Sequence, residues 1–197
     1  MDSPELRREE PSSEPVVRVR PPLAELLPTG GLRVLVLAAG LGTVVGSFAK
    51  YGLGTAAFVG AVLCPVLVLL AAIDAEHKLL PNTIVLPTTV AVAVVLAVGA
   101  SPFGSFPKHL LAAVVLGCVF FAFAAIFPGS MGMGDAKLCF LLGLALGNRT
   151  FAAAIYAVAG LLVAALYILG TRGTSARKDV IPFGPFLAIG GLLAFFL

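Results

Sequence analysis

The chain has 197 residues, 59% of them hydrophobic and only 12% charged, with a mean hydropathy of +1.07. That charged share is about half of what soluble domains carry, which excludes a water-soluble fold. It predicts an all-α, polytopic membrane protein in one domain. The net charge of +3 is too modest to suggest nucleic acid as a partner, and its distribution matters more than its sum.

Residues 1–31 are unlike the rest. They hold Pro11, Pro15, Pro21, Pro22 and Pro28 among Arg7, Arg8, Glu9, Glu10, Arg18 and Arg20. This composition predicts a flexible cytoplasmic tail. No apolar core closely follows the first basic residues, so the tail does not read as a cleavable signal. Residues 32–197 are expected to form the transmembrane domain.

Apolar segments follow at about 33–49, 54–73, 83–100, 109–127, 136–147, 150–170 and 180–197. A crossing takes about 20 residues, with about 17 as a lower limit. Six or seven transmembrane helices are therefore expected, the segment Ala136–Gly147 being short for a full crossing. Turn residues mark the breaks: Tyr51-Gly52-Leu53-Gly54, Leu80-Pro81-Asn82, Ser101-Pro102-Phe103-Gly104, Pro128-Gly129-Ser130 and Gly147-Asn148. Between them the runs are apolar on every face, as lipid-exposed or bundle-core helices are. Cys64, Cys118 and Cys139 sit inside these runs without CxxC spacing and read as small buried residues.

Basic residues set the orientation. With the N-terminus in the cytoplasm and seven crossings, the inner segments hold Arg7, Arg8, Arg18, Arg20, Arg33, Lys78, Lys137, Arg172, Arg177 and Lys178. The outer loops hold only Lys50, Lys108 and Arg149. Asp74 and Asp135 then fall on the cytoplasmic side.

These two acids stand out because an ionisable residue at a membrane boundary costs free energy and usually marks a site. Of ten acids, six lie in the tail, and Glu76 and Asp179 are the other two outside it. Two carboxylates on separate helices are what aspartic proteolysis needs. One, ionised, takes a proton from the attacking water, and the other, protonated, donates to the developing oxyanion. Like charges a few Å apart do not both ionise cheaply, so the pair stays singly protonated. A boundary Asp alone is more often a solvated residue or a cap. The joint occurrence on one face is what points to chemistry.

Asp135 closes the loop Gly132-Met133-Gly134-Asp135 and leads into a helix. Gly132 and Gly134 admit backbone angles closed to other residues and let a substrate strand approach. The start of a helix favours negative charge and the end disfavours it. Since Asp74 ends its apolar run, the dipole biases the charge toward Asp135 and the proton toward Asp74, within a pair that titrates as a unit.

Three stretches together resemble the type IV prepilin peptidase family. Ile73-Asp74 followed by Leu80-Pro81-Asn82 is similar to its aspartate, spacer and Leu-Pro-Asp/Asn turn. Gly132-Met133-Gly134-Asp135-Ala136-Lys137-Leu138 is similar to its GxGDxKL loop. Ile181-Pro182-Phe183-Gly184-Pro185-Phe186-Leu187-Ala188 is similar to its C-terminal IPFGPFLA stretch. More faintly, Pro22-Leu23-Ala24-Glu25-Leu26-Leu27 resembles the segment before the catalytic core. The resemblance covers about residues 22–197.

The resemblance implies a bacterial inner-membrane peptidase with Asp74 and Asp135 as the catalytic dyad. It implies a pilin, pseudopilin or Flp-type precursor as partner, cut between a short basic leader and an apolar helix. Glu76 and Asp179 would attract the basic leader, unless they are merely solvated. Lys137 would hold a carboxylate or a lipid headgroup, unless it is a snorkelling lysine. Pro182 and Gly184 would frame the entrance or receive the substrate strand; the bland reading is a helix-start kink. His77 has no second histidine at ligand spacing and His109 falls on the opposite side, so no metal is expected. Long relatives carry an extra first span and a cysteine-rich insert, and many also N-methylate the pilin with S-adenosylmethionine. No nucleotide-type loop stands out here, so peptidase activity without a cofactor is the expectation. A presenilin-type protease would pair GxGD with Tyr-Asp and Pro-Ala-Leu motifs, but here Ile73 precedes Asp74 and no Pro-Ala-Leu occurs. The alternative reading is a small ion- or proton-coupled transporter using the two acids.

Overall fold

The architecture was obtained as a computed structural model, which describes residues 23–28, 30–99, 101, 103–126, 132–172 and 182–197. The expectations that fall on the tail up to Pro22, on Pro128-Gly129-Ser130, and on Arg177, Lys178, Asp179 and Ile181 lie outside the described residues.

Each predicted apolar run is a helix. A single turn, α1 (Leu23–Leu26), precedes α2 (Gly30–Tyr51), α3 (Thr55–His77), α4 (Asn82–Val98), α5 (Phe106–Ile126), α6 (Met133–Leu146), α7 (Thr150–Arg172) and α8 (Gly184–Phe196). A 3-10 turn, Gly147–Arg149, joins α6 to α7. Among the described residues there is no strand, only an isolated bridge between Ser101 and Gly104. Four stretches are long and apolar enough to cross a membrane: Gly30–Tyr51, Thr55–His77, Phe106–Ile126 and Met133–Thr171, the last containing both α6 and α7. Asn82–Val98 and Gly184–Phe196 are shorter apolar helices. The protein is thus a polytopic helical membrane protein.

Several boundaries differ from the sequence expectation, for local reasons. α2 begins at Gly30, inside the stretch expected to be tail, and Leu26 and Pro28 before it are buried. α3 runs past Asp74 to His77, because the polar residues Glu76 and His77 still make good helix at its exposed end. It stops at Lys78, which takes a left-handed conformation (φ 52°) and returns its N–H to the Asp74 carbonyl. α8 starts later than expected, at Gly184, with Pro185 in its first turn, where a missing N–H costs nothing.

α6 and α3 form the centre. α4 and α8 each pack on both of them, α5 and α7 flank α6, and α2 covers α3. With fourteen residues α6 is only about 21 Å long, short of the roughly 30 Å hydrocarbon core. Ten of those fourteen residues are buried, so neighbouring helices, not lipid, surround it. Apolar side chains gain nothing by leaving lipid for protein, so such helices associate through close packing. Glycines supply it. A Cβ on Gly143 of α6 would lie 2.5 Å from the Ala113 Cα of α5 and 2.7 Å from the Ala112 carbonyl oxygen. A Cβ on Gly190 of α8 would lie 2.5 Å from the Ala153 carbonyl oxygen of α7.

Because Gly143 faces backbone that cannot rotate away, Gly143→Ala is expected to lower stability by about 1–3 kcal/mol. Gly42→Ala, where a Cβ meets nothing within 4 Å, is expected to be neutral or to stabilise by up to about 1 kcal/mol. Reversible unfolding of the two variants in mixed micelles checks the difference.

Candidate active site

The turns between helices create a polar concavity at one end of the bundle. The C-terminal end of α3, the Leu-Pro-Asn turn into α4 and the start of α6 meet around a cavity of about 520 Å³. Asp74, Asp135, Gly132, Gly134 and Lys137 all line it, together with Lys78, Leu80, Asn82 and Leu26. Both carboxylic residues are buried, at 6% and 8% exposure. Asp74 comes from α3 and Asp135 from α6, and both face the same cavity.

Each carboxylate is met by a backbone amide at the start of a helix. Asp135 is the third residue of α6, and its Oδ2 accepts the N–H of the N-cap residue Gly132 at 3.3 Å. The Gly132 carbonyl in turn accepts the Asp135 N–H at 3.0 Å. This is the acidic half of a capping box, turned toward a cavity. Asp74 has no such partner in its own helix. Its Oδ2 accepts the N–H of Gly184, the first residue of α8, at 3.0 Å. Unfilled amides at a helix start attract anions, and α8 provides them where α3 cannot. The expectation that the dipole biases charge toward Asp135 and the proton toward Asp74 took account of the start of α6 but, at Asp74, of the end of α3 alone. With the start of α8 against Asp74, helix dipoles no longer separate the two acids.

Close contacts lock the three sequence stretches together. A Cβ on Gly184 would lie 2.5 Å from Asp74 Oδ2 and 2.8 Å from its Cγ, so only glycine brings the α8 amide this near. A Cβ on Gly134 would lie 2.7 Å from the Leu80 Cβ, which seats the glycine loop on the Leu-Pro-Asn turn. Lys137 Nζ donates to Asn82 Oδ1 at 3.0 Å, tying α6 to the first residue of α4. Ahead of α8, the half-buried Phe183 ring stacks on Phe120 of α5 with centroids 6.0 Å apart.

The remaining expected residues lie elsewhere. Glu76 is exposed outside the cavity lining, its carboxylate 3.8 Å from His77 Nε2. Pro182 is half-buried just before α8 and does not line the cavity. His109 sits at the opposite end of the bundle, fully buried, with Nδ1 2.7 Å from the Leu144 carbonyl oxygen. Among the described residues no group of three His, Cys, Asp or Glu side chains is arranged to hold a metal. Sequence reasoning missed Lys78, which lines the cavity beside Asp74. It also missed Asn82 as a partner of Lys137, and Leu26. The available signals were a lysine four residues after the acid and an apolar pair, Leu26-Leu27, in a polar stretch.

The model of the type IV leader peptidase family matches residues 61–170, a segment that contains both aspartates. The chain belongs to this family. It is similar to the prepilin leader peptidase/N-methyltransferase of Bacillus subtilis, 33% identical over 152 residues, which is 74% of this chain and 58% of that protein. It is also similar to the Burkholderia pseudomallei protein of the same name, 32% identical over 177 residues, or 86% of this chain and 56% of the relative. The Pseudomonas aeruginosa protein of that name is 35% identical over 137 residues, covering 65% of this chain and 45% of the relative. The chain thus spans about half the length of these relatives. No solved structure matches it. Nothing in these matches supports the transporter reading.

The Lys137–Asn82 bond is expected to act as a pair. A double-mutant cycle with Lys137→Met and Asn82→Ala should give a coupling of about 1–2 kcal/mol in micellar unfolding, as expected for a partly buried hydrogen bond to a charged donor. Coupling near zero would mean that the bond contributes nothing.

Proposed function

We propose that this protein is an aspartic prepilin peptidase of the bacterial inner membrane. It removes the short basic leader of a pilin, pseudopilin or Flp-type precursor. The observation that carries the reading is the pair of buried carboxylates, Asp74 and Asp135, from different helices of the bundle and lining one cavity at its end.

In each carboxylate Oδ2 is committed to an amide, and Oδ1 is the oxygen we assign to the catalytic water. The singly protonated pair then acts as one unit. The ionised member takes a proton from water as its oxygen attacks the scissile carbonyl. The protonated member donates to the carbonyl oxygen as it gains charge. On collapse of the tetrahedral intermediate the C–N bond breaks and the leaving amine takes up a proton from the dyad. Protons titrate from the pair and not from either residue alone.

The surroundings fit such a substrate. The apolar helix of a precursor would lie in the membrane beside the bundle, with its leader at the polar end. We place that end in the cytoplasm together with the N-terminus, because the basic residues of the chain concentrate in segments on that side. Exposed Gly132 leaves the loop before Asp135 open to an extended strand, while Gly134 seats that loop on Leu80. Lys78 and Lys137 at the cavity would meet carbonyl or carboxylate oxygens of the substrate. The proposal concerns peptide cleavage, which these carboxylates can perform, and does not extend to the methyl transfer in the names of the relatives.

Co-expression with a precursor whose basic leader ends in Gly before Phe or Met, followed by N-terminal sequencing, tests this reading. Asp74→Asn and Asp135→Asn are each expected to reduce cleavage by about 1,000-fold or more while the protein still inserts and folds. Gly184→Ala, which forces a carbon against the Asp74 carboxylate, is expected to cost about 100-fold. Cleavage that survives both Asn substitutions would end the reading.

A further inference from the structure

α8 has no polar side chain of its own, yet both of its ends are capped from elsewhere. At its start the Gly184 N–H meets Asp74. At its finish, on the far side of the bundle, Arg149 Nη1 donates to the Ala194 and Phe195 carbonyls, each at 3.2 Å. The Tyr51 hydroxyl donates to the same Phe195 carbonyl, and Lys50 Nζ to that of Phe196. Cations at a helix end and an anion at its start both complement the dipole.

The far cluster is itself fixed. The Arg149 guanidinium lies 4.7 Å from the Phe103 ring centroid and donates to the Tyr51 hydroxyl at 3.3 Å. The Tyr51, Phe103 and Phe195 rings pack edge to face, with centroids 5.2–5.8 Å apart. The middle of α8 is held by apolar packing alone: Leu187 and Ala188 are buried, Gly190 lies against the α7 backbone, and Gly191 lies against Leu67 and Leu142. A slide of a fraction of the ~1.5 Å rise per residue would open the Gly184 contact or drive it into the carboxylate.

We infer that Arg149, assisted by Tyr51 and Lys50, is a positioning residue for the aspartate pair. It sets the axial register of α8 and so holds the Gly184 amide on Asp74 from the opposite face of the bundle. The effect is mechanical, through a rigid helix about 20 Å long, and Arg149 touches neither substrate nor the reacting atoms. The inference rests on the peptidase reading for its kinetic consequence only.

The test uses the full chain in lipid nanodiscs with the precursor described above. Arg149→Gln is expected to lower kcat about tenfold or more, with KM changed by less than about twofold. Arg149→Lys should recover part of the loss, and Tyr51→Phe, which keeps the ring packing, should give a smaller loss. Register is read directly by labelling Phe carbonyls with 13C and Gly amides with 15N. The chain has two Phe-Gly pairs, Phe103-Gly104 and Phe183-Gly184, and the Gly184 signal is the one lost in Gly184→Ala. Its amide proton, hydrogen-bonded to a carboxylate, should resonate downfield and move upfield in Arg149→Gln. Unchanged kcat in Arg149→Gln would overturn the inference, as would a fall in kcat with the Gly184 resonance unmoved. If the wild-type protein failed to cleave any precursor, the peptidase reading would fail alone, and the Gly184 resonance would still decide the register of α8.

Discussion

A carboxylate inside a membrane bundle has no bulk water to solvate it, and free amides at helix starts are the donors this fold provides. Asp135 meets the N-cap amide of its own helix, and Asp74 meets the first amide of α8. Helix starts are the only places in a helix where such amides are unfilled. The fold must therefore bring two starts, those of α6 and α8, to the depth of the acids. This accounts for the fourteen-residue α6 and for the start of α8 beside Asp74. A helix beginning at the membrane surface would carry its free amides past the carboxylates.

Short helices in a membrane need cover, and that need explains the arrangement around them. α6 is enclosed by α4, α5, α7 and α8, and α8 by α3, α6 and α7. The long apolar helices α2, α5 and α7 take the lipid-facing positions and carry many of the exposed Leu, Val and Phe side chains. Since lipid offers apolar groups as good an environment as protein does, the enclosure is held by close contact and hydrogen bonds. Gly143 against α5 and Gly190 against α7 supply the contacts. Lys137 to Asn82 and Gly184 to Asp74 supply bonds that cross between helices.

The sequence revealed the parts of this fold that depend on composition along the chain. Seven apolar runs, separated by Gly, Pro and Asn, gave seven helices because backbone in a bilayer must satisfy its own hydrogen bonds. Their alternation alone put Asp74 and Asp135 at one end. Contacts between distant segments left little trace. The α8 amide on Asp74 was hidden because its donor is backbone, and the sequence offered only a glycine between prolines as a hint. The start of α8 at Gly184, past the expected boundary at 180, was obscured because Pro182 and Phe183 are as apolar as the helix itself. Arg149 read as one of three basic residues in outer loops, since its partners are main-chain carbonyls that no side-chain pattern announces.

Glycine serves two opposed purposes in the same bundle, and local surroundings decide which. At Gly184 and Gly134 it admits a close approach at the cavity, to Asp74 in one case and Leu80 in the other. At Gly190 and Gly191 it lets α8 lie close against the α7 backbone and against Leu67 and Leu142. The packing in the middle of α8 is apolar, while its Gly184 amide meets Asp74 Oδ2 at 3.0 Å. Polar restraint on α8 is found at its ends. The apolar sequence of α8 cannot hold them, so the restraint has to come from charged and polar groups on other helices, at the two faces where the membrane permits them.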